Sequence, residues 1–247
     1  MSEAVPPGRL IGSGRAADVY DVGSGRVLRR YRTHTDTGPE ARLMLHLRLA
    51  GFPAPEVFDA DGQDMVLARL SGPDMLADLG RHPWRLAAHA RLLAELHDRL
   101  HAVLAPDWLV RLPEARGDRV LHLDLHPGNV MLTADGPVVI DWSSAAAGPP
   151  GADTAIASLI MRVSEVDDMP VPVRAAAALL RRAFVRRFES AVAASPAPYL
   201  AAAAARRIRD PNVRPGEVDQ LRRIIASALA KAPEHAAPGH PEPEPKP

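Results

Sequence analysis

The chain has 247 residues, which is enough for one large domain or two small lobes with a proper hydrophobic core. Hydrophobic residues make up 47% of it and charged residues 24%, as in ordinary globular proteins, and no apolar run predicts a membrane span. The formal net charge is zero, so neither nucleic acid nor a membrane surface is predicted as a partner. The absence of cysteine excludes disulfides, thiol nucleophiles and zinc–thiolate sites. Because Met1–Leu10 lacks a signal-peptide pattern, we expect a cytoplasmic protein.

Residues 1–70 predict a small, β-rich N-terminal lobe. The turn Gly23–Gly25 separates two strand-like stretches, 10–20 and 26–31, and a second hairpin is predicted around Asp61 and Gly62. Between the two hairpins, a helix is expected to begin at Pro39 and to stop at Gly51. Ser71–Pro73 then breaks the pattern, and we place the lobe boundary there.

Residues 71–234 predict a larger, mostly helical C-terminal lobe. Apolar residues at three- and four-residue steps from Leu86 to Val103 form one stripe of an amphipathic helix. A β-hairpin with strands at 130–133 and 138–141 interrupts the helical pattern, which resumes after Ala155. The Pro-rich stretch 235–247 predicts a disordered tail. The predicted fold class is therefore α+β, with a cleft between two lobes.

The strongest chemical signal is the string His122–Asn129, HLDLHPGN, followed by VIDW at Val139–Trp142. In phosphoryl transfer, the protein must align an acceptor hydroxyl and position the metal ions that bridge the phosphates. The Asp124 carboxylate can accept the proton of that hydroxyl as a catalytic base. Asn129 and Asp141 offer the hard oxygen ligands that suit Mg²⁺. The Pro-Gly turn and the following hairpin would bring all three side chains to one pocket.

This string resembles the catalytic pattern of the aminoglycoside phosphotransferase (choline kinase-like) family, in which His-x-Asp-x-His-Pro-x-Asn precedes Ile-Asp-Trp. The resemblance covers about residues 10–160. It implies a two-lobed protein kinase-like fold. It also implies an enzyme that uses Mg²⁺ to transfer the γ-phosphoryl group of ATP, or of another nucleoside triphosphate, to a hydroxyl of a small-molecule acceptor.

The same resemblance implies a nucleotide site in the N-terminal lobe. Gly12–Tyr20 resembles the glycine-rich loop that covers the phosphates, although Ala17 stands where a third glycine is expected. Arg29 takes the place of the phosphate-binding lysine, with Glu40 as its ion-pair partner, and strand alternation puts Val27 on the same face as Arg29. A hinge that contacts adenine through backbone atoms is expected near residues 68–70. The nucleotide-binding candidates are Gly12, Ser13, Gly14, Val19, Val27, Arg29, Glu40, Ala68 and Leu70.

Three further residues are expected to support the site. His122 is predicted to be a packed scaffold histidine, whereas His126 either lines the site or braces its loop. Asp153 matches a Gly-x-Pro-x-x-Asp stretch of the family, in which the aspartate caps a helix and buttresses the catalytic loop.

Two other functional interpretations stay open. Arg29 in place of lysine, together with the missing third glycine, favours a catalytically weak or inactive pseudokinase that serves as a nucleotide-binding or interaction module. The intact Asp124, Asn129 and Asp141 oppose that interpretation. A protein kinase is disfavoured, because the chain has no Asp-Phe-Gly motif.

The charge of the region expected to form the acceptor pocket, residues 155–234, points away from a polycationic acceptor. It holds twelve arginines and one lysine against eight acidic residues. A neutral or anionic hydroxyl compound is therefore expected on Coulombic grounds. Glu165, Asp167 and Asp168 form the one acidic cluster there, which could still create a local site for a cation.

Overall fold

The computed structural model of the chain describes residues 8–14, 16–113, 115–163, 171–209, 213 and 215–231. The predicted Pro-rich tail, 235–247, lies outside these residues, as do Glu165, Asp167 and Asp168. Within the described ranges, none of the helices combines the length and the apolar character needed to cross a membrane.

A five-stranded antiparallel sheet dominates the N-terminal lobe. The order across this sheet is β1-β2-β3-β5-β4, and both predicted hairpins are present. Two differences from the prediction appear. The stretch 10–20 forms two strands, because the chain reverses after Gly14, whose N–H donates to the Ala17 carbonyl at 2.8 Å. The last strand ends at Ala68, before Leu70. The strands are β1 Arg9–Ser13, β2 Ala17–Gly23, β3 Arg26–Tyr31, β4 Val57–Asp61 and β5 Asp64–Ala68.

Helix α1, Gly38–Leu49, packs against this sheet. It begins and ends close to the predicted residues, with Pro39 in its first turn. Gly51, just beyond its end, has φ +77°, a left-handed conformation that glycine adopts without steric cost. The helix buries Leu43 and Leu47, and Glu40 in its first turn is buried as well. The buried apolar stripe therefore fixes which way Glu40 points.

Six helices build most of the C-terminal lobe within the described residues. The predicted amphipathic stripe is confirmed in α3, where Ala90, Leu93, Leu96 and Leu100 are buried. Helix α4 starts at Pro150, earlier than predicted. The short helix α2 was not predicted; its N-cap is Asp74, whose Oδ1 accepts from the Ala77 N–H at 2.7 Å. The helices are α2 Met75–Arg81, α3 Leu86–His101, α4 Pro150–Val163, α5 Val171–Ala191, α6 Leu200–Ile208 and α7 Pro215–Lys231, with short 3₁₀ turns at Pro83–Arg85, Pro127–Asn129 and Ala197–Tyr199.

Two small antiparallel sheets hold the catalytic string. The predicted hairpin pairs β7, Val130–Thr133, with β8, Gly136–Val139. The second sheet pairs β6, Arg119–Leu121, with β9, Ala146–Gly148, and it was not predicted, because strands of three residues show no readable alternation. The string 122–129 therefore runs from β6 to β7, and Asp141 lies between β8 and β9.

Two hydrophobic clusters position these parts. The first joins the two lobes, since it contains Val27 of β3 together with Leu93 of α3 and Val139 of β8. The second lies within the C-terminal lobe and joins Leu123 of the catalytic string to α4, α6 and α7. The catalytic string is thus packed between both cores. The lobe boundary at residues 70 and 71 stays a prediction.

Candidate active site

A continuous cavity of 1490 Å³ runs between the sheet and the C-terminal helices. Most of the residues predicted from the sequence share it. Glu40, His122 and Asp153 lie behind its wall, and Gly12 and Ser13 do not line it. The predicted residues that line the cavity are Gly14, Val19, Val27, Arg29, Ala68, Leu70, Asp124, His126, Asn129 and Asp141.

Asn129 and Asp124 are joined by hydrogen bonds across their loop. The Asn129 Nδ2 donates to the Asp124 carbonyl at 2.8 Å and to Asp124 Oδ2 at 3.1 Å. His126 closes the turn between them, because its Nδ1 accepts from the Gly128 N–H at 3.0 Å. Its Nε2 lies 3.9 Å from Asp124 Oδ1. Burial lowers the pKa of His126 despite the nearby Asp124 charge, so this imidazole is neutral near pH 7.

His122 connects the loop of Asp124 to the strand end that precedes Asp141. Its Nδ1 accepts from the Asp124 N–H at 3.2 Å, and its Nε2 donates to the Ile140 carbonyl at 3.0 Å. The ring is fully buried and lies 4.5 Å from the Trp142 ring, centroid to centroid. With both nitrogens used by the backbone, these contacts support the predicted scaffold role.

Asp153 holds the backbone just before Asp124. This carboxylate is fully buried in the first turn of α4 and accepts from the Leu123 N–H at 2.7 Å and the His122 N–H at 3.2 Å. His101 Nε2 donates to it at 2.9 Å. Burial opposes ionisation, but the His101 hydrogen bond and the nearby histidines outweigh it and lower the pKa of Asp153. Leu123 has φ +62°, a left-handed backbone conformation that costs roughly 1–3 kcal/mol in a residue other than glycine. The hydrogen bond from its N–H to Asp153 helps to hold the backbone in this conformation.

Arg29 bridges the two lobes. Its Nη1 donates to Glu40 Oε1 at 2.7 Å, and its Nη2 donates to Asp141 Oδ1 at 2.8 Å. Burial disfavours the charged guanidinium, but the two carboxylates outweigh that effect and raise the pKa of Arg29. Arg30 points to the other face and pairs with Asp64 at 2.7 Å. The predicted alternation is therefore confirmed, and of these two residues only Arg29 lines the cavity.

Two partners of Glu40 were missed from the sequence. The Tyr31 hydroxyl donates to Glu40 Oε2 at 2.6 Å, and the Trp142 N–H donates to Glu40 Oε1 at 3.1 Å. Burial, reinforced by the Glu40 charge, raises the pKa of Tyr31. Strand alternation could have found Tyr31, which lies two residues after Arg29. Glu40 thus ties β3 directly to the residue after Asp141.

The predicted glycine-rich loop reaches the cavity only in part. Gly14 lines it, whereas a Cβ on Gly12 would meet only Val19 Cβ at 3.7 Å, so the fold does not require glycine there. The Ser13 hydroxyl donates to Asp18 at 2.7 Å and accepts from Arg32 at 2.6 Å. Contacts of Gly12 and Ser13 with a nucleotide stay predictions.

The oxygen atoms of Asn129 and Asp141 fit Mg²⁺. Asp141 Oδ1 accepts from Arg29 and from the Ser143 hydroxyl at 3.1 Å, but Asp141 Oδ2 and Asn129 Oδ1 accept no hydrogen bond from any described residue. Among all the residues that the structure describes, no three His, Asp or Glu side chains converge on a possible metal position. Mg²⁺ commonly takes one or two protein oxygens and completes its shell with phosphates and water. The donor set therefore suits a metal that arrives with a nucleotide.

A family model described as "APH: Phosphotransferase enzyme family" matches residues 7–108 and 67–191, well over half of the chain. The chain belongs to the phosphotransferase enzyme family. This confirms the predicted family and the predicted class, a phosphotransferase with a hydroxyl acceptor. No curated protein sequence matches this phosphotransferase.

Solved structures show which fold this phosphotransferase has. A choline/ethanolamine kinase family protein from Mesorhizobium loti superposes with a TM-score of 0.53 and 15% identity, covering 94% of this chain and 91% of that one. The gentamicin complex of APH(2")-IIa superposes with a TM-score of 0.59 and 13% identity, covering 90% of this chain and 89% of that one. The aminoglycoside phosphotransferase APH(4)-Ia superposes with a TM-score of 0.54 and 20% identity, covering 90% of each chain. These likenesses confirm the predicted two-lobed, protein kinase-like α+β fold.

Proposed function

We propose that this phosphotransferase moves the γ-phosphoryl group of ATP to a hydroxyl of a small molecule, with Asp124 as catalytic base. The observation that carries the proposal is that Arg29, Asp124, Asn129 and Asp141 line one cavity while Asn129 is hydrogen-bonded to Asp124. Base, phosphate ligand and metal ligands therefore face the same space.

Asp124 acts on the acceptor. The acceptor oxygen forms a bond to the γ-phosphorus as the bond from that phosphorus to the β–γ bridging oxygen breaks, and ADP leaves. The hydroxyl proton passes to the Asp124 carboxylate. The Asn129 amide orients this carboxylate through its 3.1 Å hydrogen bond, and the Asp153 bonds to residues 122 and 123 fix the backbone before it. Positioning supplies most of the catalysis in such a reaction, because little covalent chemistry falls to the protein.

Arg29, Asn129 and Asp141 act on the nucleotide. Arg29 would contact the phosphates, and Asn129 and Asp141 would hold Mg²⁺. When bound, Mg²⁺ neutralises the charge of the phosphate oxygens. Val27 lies against the adenine, and the backbone at Ala68 and Leu70 reads its edge. Several structural neighbours are solved with a nucleotide, such as the streptomycin–ATP complex of APH(2")-IIa, which supports a nucleotide in this cleft.

The acceptor is expected to be small and hydroxylated. The neighbours include a choline/ethanolamine kinase family protein and aminoglycoside phosphotransferases. Because ATP is the phosphoryl donor, we place the enzyme in the cytoplasm, which cell fractionation would test.

The deciding experiment measures ADP formation by the purified protein with Mg·ATP and a panel of amino alcohols, sugars, sugar acids and aminoglycosides. Acceptor-dependent turnover that is lost in Asp124→Asn supports the proposal. Binding of Mg·ATP without turnover on any acceptor would instead indicate the inactive nucleotide-binding module. That alternative draws on Arg29 in place of lysine and on Ala17 in place of glycine.

A further inference from the structure

The part of the cavity wall formed by α4 to α7 is apolar except for arginines and one glutamate. We call it the acceptor wall, because it is formed by C-terminal helices and not by the sheet that holds most of the nucleotide candidates. Its polar members, among the residues that the structure describes, are Arg181, Arg206, Arg207, Arg209 and Glu217.

Arg206 and Arg207 are held close to the catalytic loop by packing. They lie in the last turn of α6, whose Ala203 and Ala204 are buried in the same hydrophobic cluster as Leu123. The Arg207 side chain lines the same cavity as His126 and Asp124. A ligand whose hydroxyl lies at Asp124 would therefore share its cavity with these two arginines.

Glu217, in the first turn of α7, has the opposite charge and an unused oxygen. The residue is 8% exposed, and its Oε2 accepts no hydrogen bond from the described part of the chain. Among the described residues, Arg207 is its ion-pair partner, with Nη2 3.9 Å from Oε2 and so beyond hydrogen-bond distance. A buried carboxylate oxygen without a donor is unfavourable, so a donor group of a ligand would be stabilised there.

The arrangement selects for charge. A polycation would meet several guanidinium groups, whereas a carboxylate or phosphate would meet planar donors that bind such groups in a bidentate manner. An anionic acceptor also has to approach the negative phosphates of ATP, and cationic residues beside the acceptor reduce that repulsion.

We propose that the acceptor carries an anionic group, a carboxylate or a phosphate ester, which Arg206 and Arg207 bind, while Glu217 accepts a hydrogen bond from a hydroxyl of the same molecule. This inference rests on the proposed function, because it assumes that the acceptor hydroxyl lies at Asp124. It names the class of acceptor that the cavity prefers over neutral sugars and polycations.

The test is calorimetry on the full chain with saturating Mg·AMP-PNP and four probes: glucose, gluconate, glucose 6-phosphate and kanamycin. We expect gluconate or glucose 6-phosphate to bind at least tenfold more tightly than glucose, and kanamycin to bind most weakly. Tighter binding of gluconate would indicate a carboxylate acceptor, and tighter binding of glucose 6-phosphate would indicate a phosphate ester. Equal binding of glucose and both anions, or tighter binding of kanamycin, would overturn the inference.

The matched variants are Arg206→Ala with Arg207→Ala and, as control, Arg186→Ala with Arg187→Ala. The control pair is exposed on α5 and does not line the cavity. The first pair should lower affinity for the preferred anion at least tenfold, to the level of glucose, and the control pair should change nothing. If the alanine pair unfolds, the corresponding Gln pair replaces it.

The nucleotide serves as the internal reference. Affinity for Mg·AMP-PNP should be equal in the wild type and in both double variants. If the Arg206 and Arg207 changes lower nucleotide affinity as much as anion affinity, the arginines serve the nucleotide and the inference is overturned. If the wild type does not bind Mg·AMP-PNP, the proposed function itself fails, which is a different result from nucleotide binding without anion preference.

Discussion

Arg29 of β3 and Asp141 after β8 are hydrogen-bonded at 2.8 Å, although they are 112 residues apart in the sequence. The phosphate-binding candidate, Arg29, and the metal-binding candidate, Asp141, therefore form an ion pair with each other. The other arm of the guanidinium is bound to Glu40 at 2.7 Å. In the proposed function, a nucleotide phosphate would compete with Asp141 Oδ1 for Arg29 Nη2, while the Glu40 bond can keep Arg29 in position.

Arg29→Ala should raise the KM for ATP at least tenfold, whereas Arg30→Ala should change it less than threefold. Loss of a charge-assisted phosphate contact costs about 1.5–3 kcal/mol, and Arg30 faces away from the cavity in its pair with Asp64. Steady-state kinetics on both variants provides the measurement. Equal effects of the two changes would contradict the assignment of Arg29 to the nucleotide.

Arg29→Lys separates charge from geometry at the same position. An ammonium keeps the charge but cannot bond Glu40 and Asp141 with one planar fork. We expect a KM for ATP between those of the wild type and the alanine variant. A lysine variant as impaired as alanine would show that the fork, and not the charge, is required.

Asp124→Asn should lower kcat by at least a hundredfold and leave the fold and the affinity for Mg·ATP nearly unchanged. The amide preserves shape but cannot accept the hydroxyl proton, and general base catalysis contributes about 10²–10⁴-fold. Single-turnover phosphoryl transfer and calorimetry with Mg·ATP give the two readouts. Wild-type turnover in this variant would remove Asp124 from the mechanism.

Asp141→Ala should weaken Mg·ATP binding and abolish most of its dependence on Mg²⁺, because the variant lacks the carboxylate proposed as a metal ligand. Asp135→Ala in the exposed turn between β7 and β8 is the matched control, since it removes the same charge outside the cavity. Calorimetric titrations with and without Mg²⁺ compare the two. Unchanged metal dependence in Asp141→Ala would exclude Asp141 as a ligand.

Asp153→Ala should destabilise the protein by about 3–5 kcal/mol, because it leaves the buried donors of His101, His122 and Leu123 without their acceptor. Denaturant unfolding measures the loss, with the exposed Asp107→Ala as control. If the variant stays folded, kcat should fall more than the KM for ATP rises, since the loop of Asp124 loses its support. A stability equal to that of the control would contradict the buttressing role.

His97 makes the stability of the fold depend on pH. Burial lowers its pKa from 6.5 to about 4, so between these values the unfolded chain binds a proton that the folded chain excludes. The free energy of unfolding should therefore fall as the pH falls from about 6.5 to about 4, by roughly 3 kcal/mol from this residue. His97→Gln should remove this part of the pH dependence, and His34→Gln, at an exposed position, should not. Parallel pH profiles of wild type and His97→Gln would contradict the prediction.

Local patterns in the sequence determined a large part of the site. The string 122–129 and Asp141 are set by short motifs, and the two-residue period of a strand was enough to separate Arg29 from Arg30. Turn glycines and the apolar stripe of α3 predicted the hairpins and the longest of the correctly predicted helices. These features depend only on residues that are close together in the chain, so a single sequence is enough to predict them.

Tertiary structure alone decided how those pieces meet. The Arg29–Asp141 pair, the Glu40 bond to Trp142 and the Asp153 bonds to the catalytic loop join residues 112, 102 and about 30 positions apart. Such contacts follow from how hydrophobic clusters pack the lobes and helices together, and no local period encodes that packing. The same packing leaves Gly12 and Ser13 outside the cavity and brings Arg206 and Arg207 of α6 to its wall, because α6 is buried against the cluster that also holds Leu123.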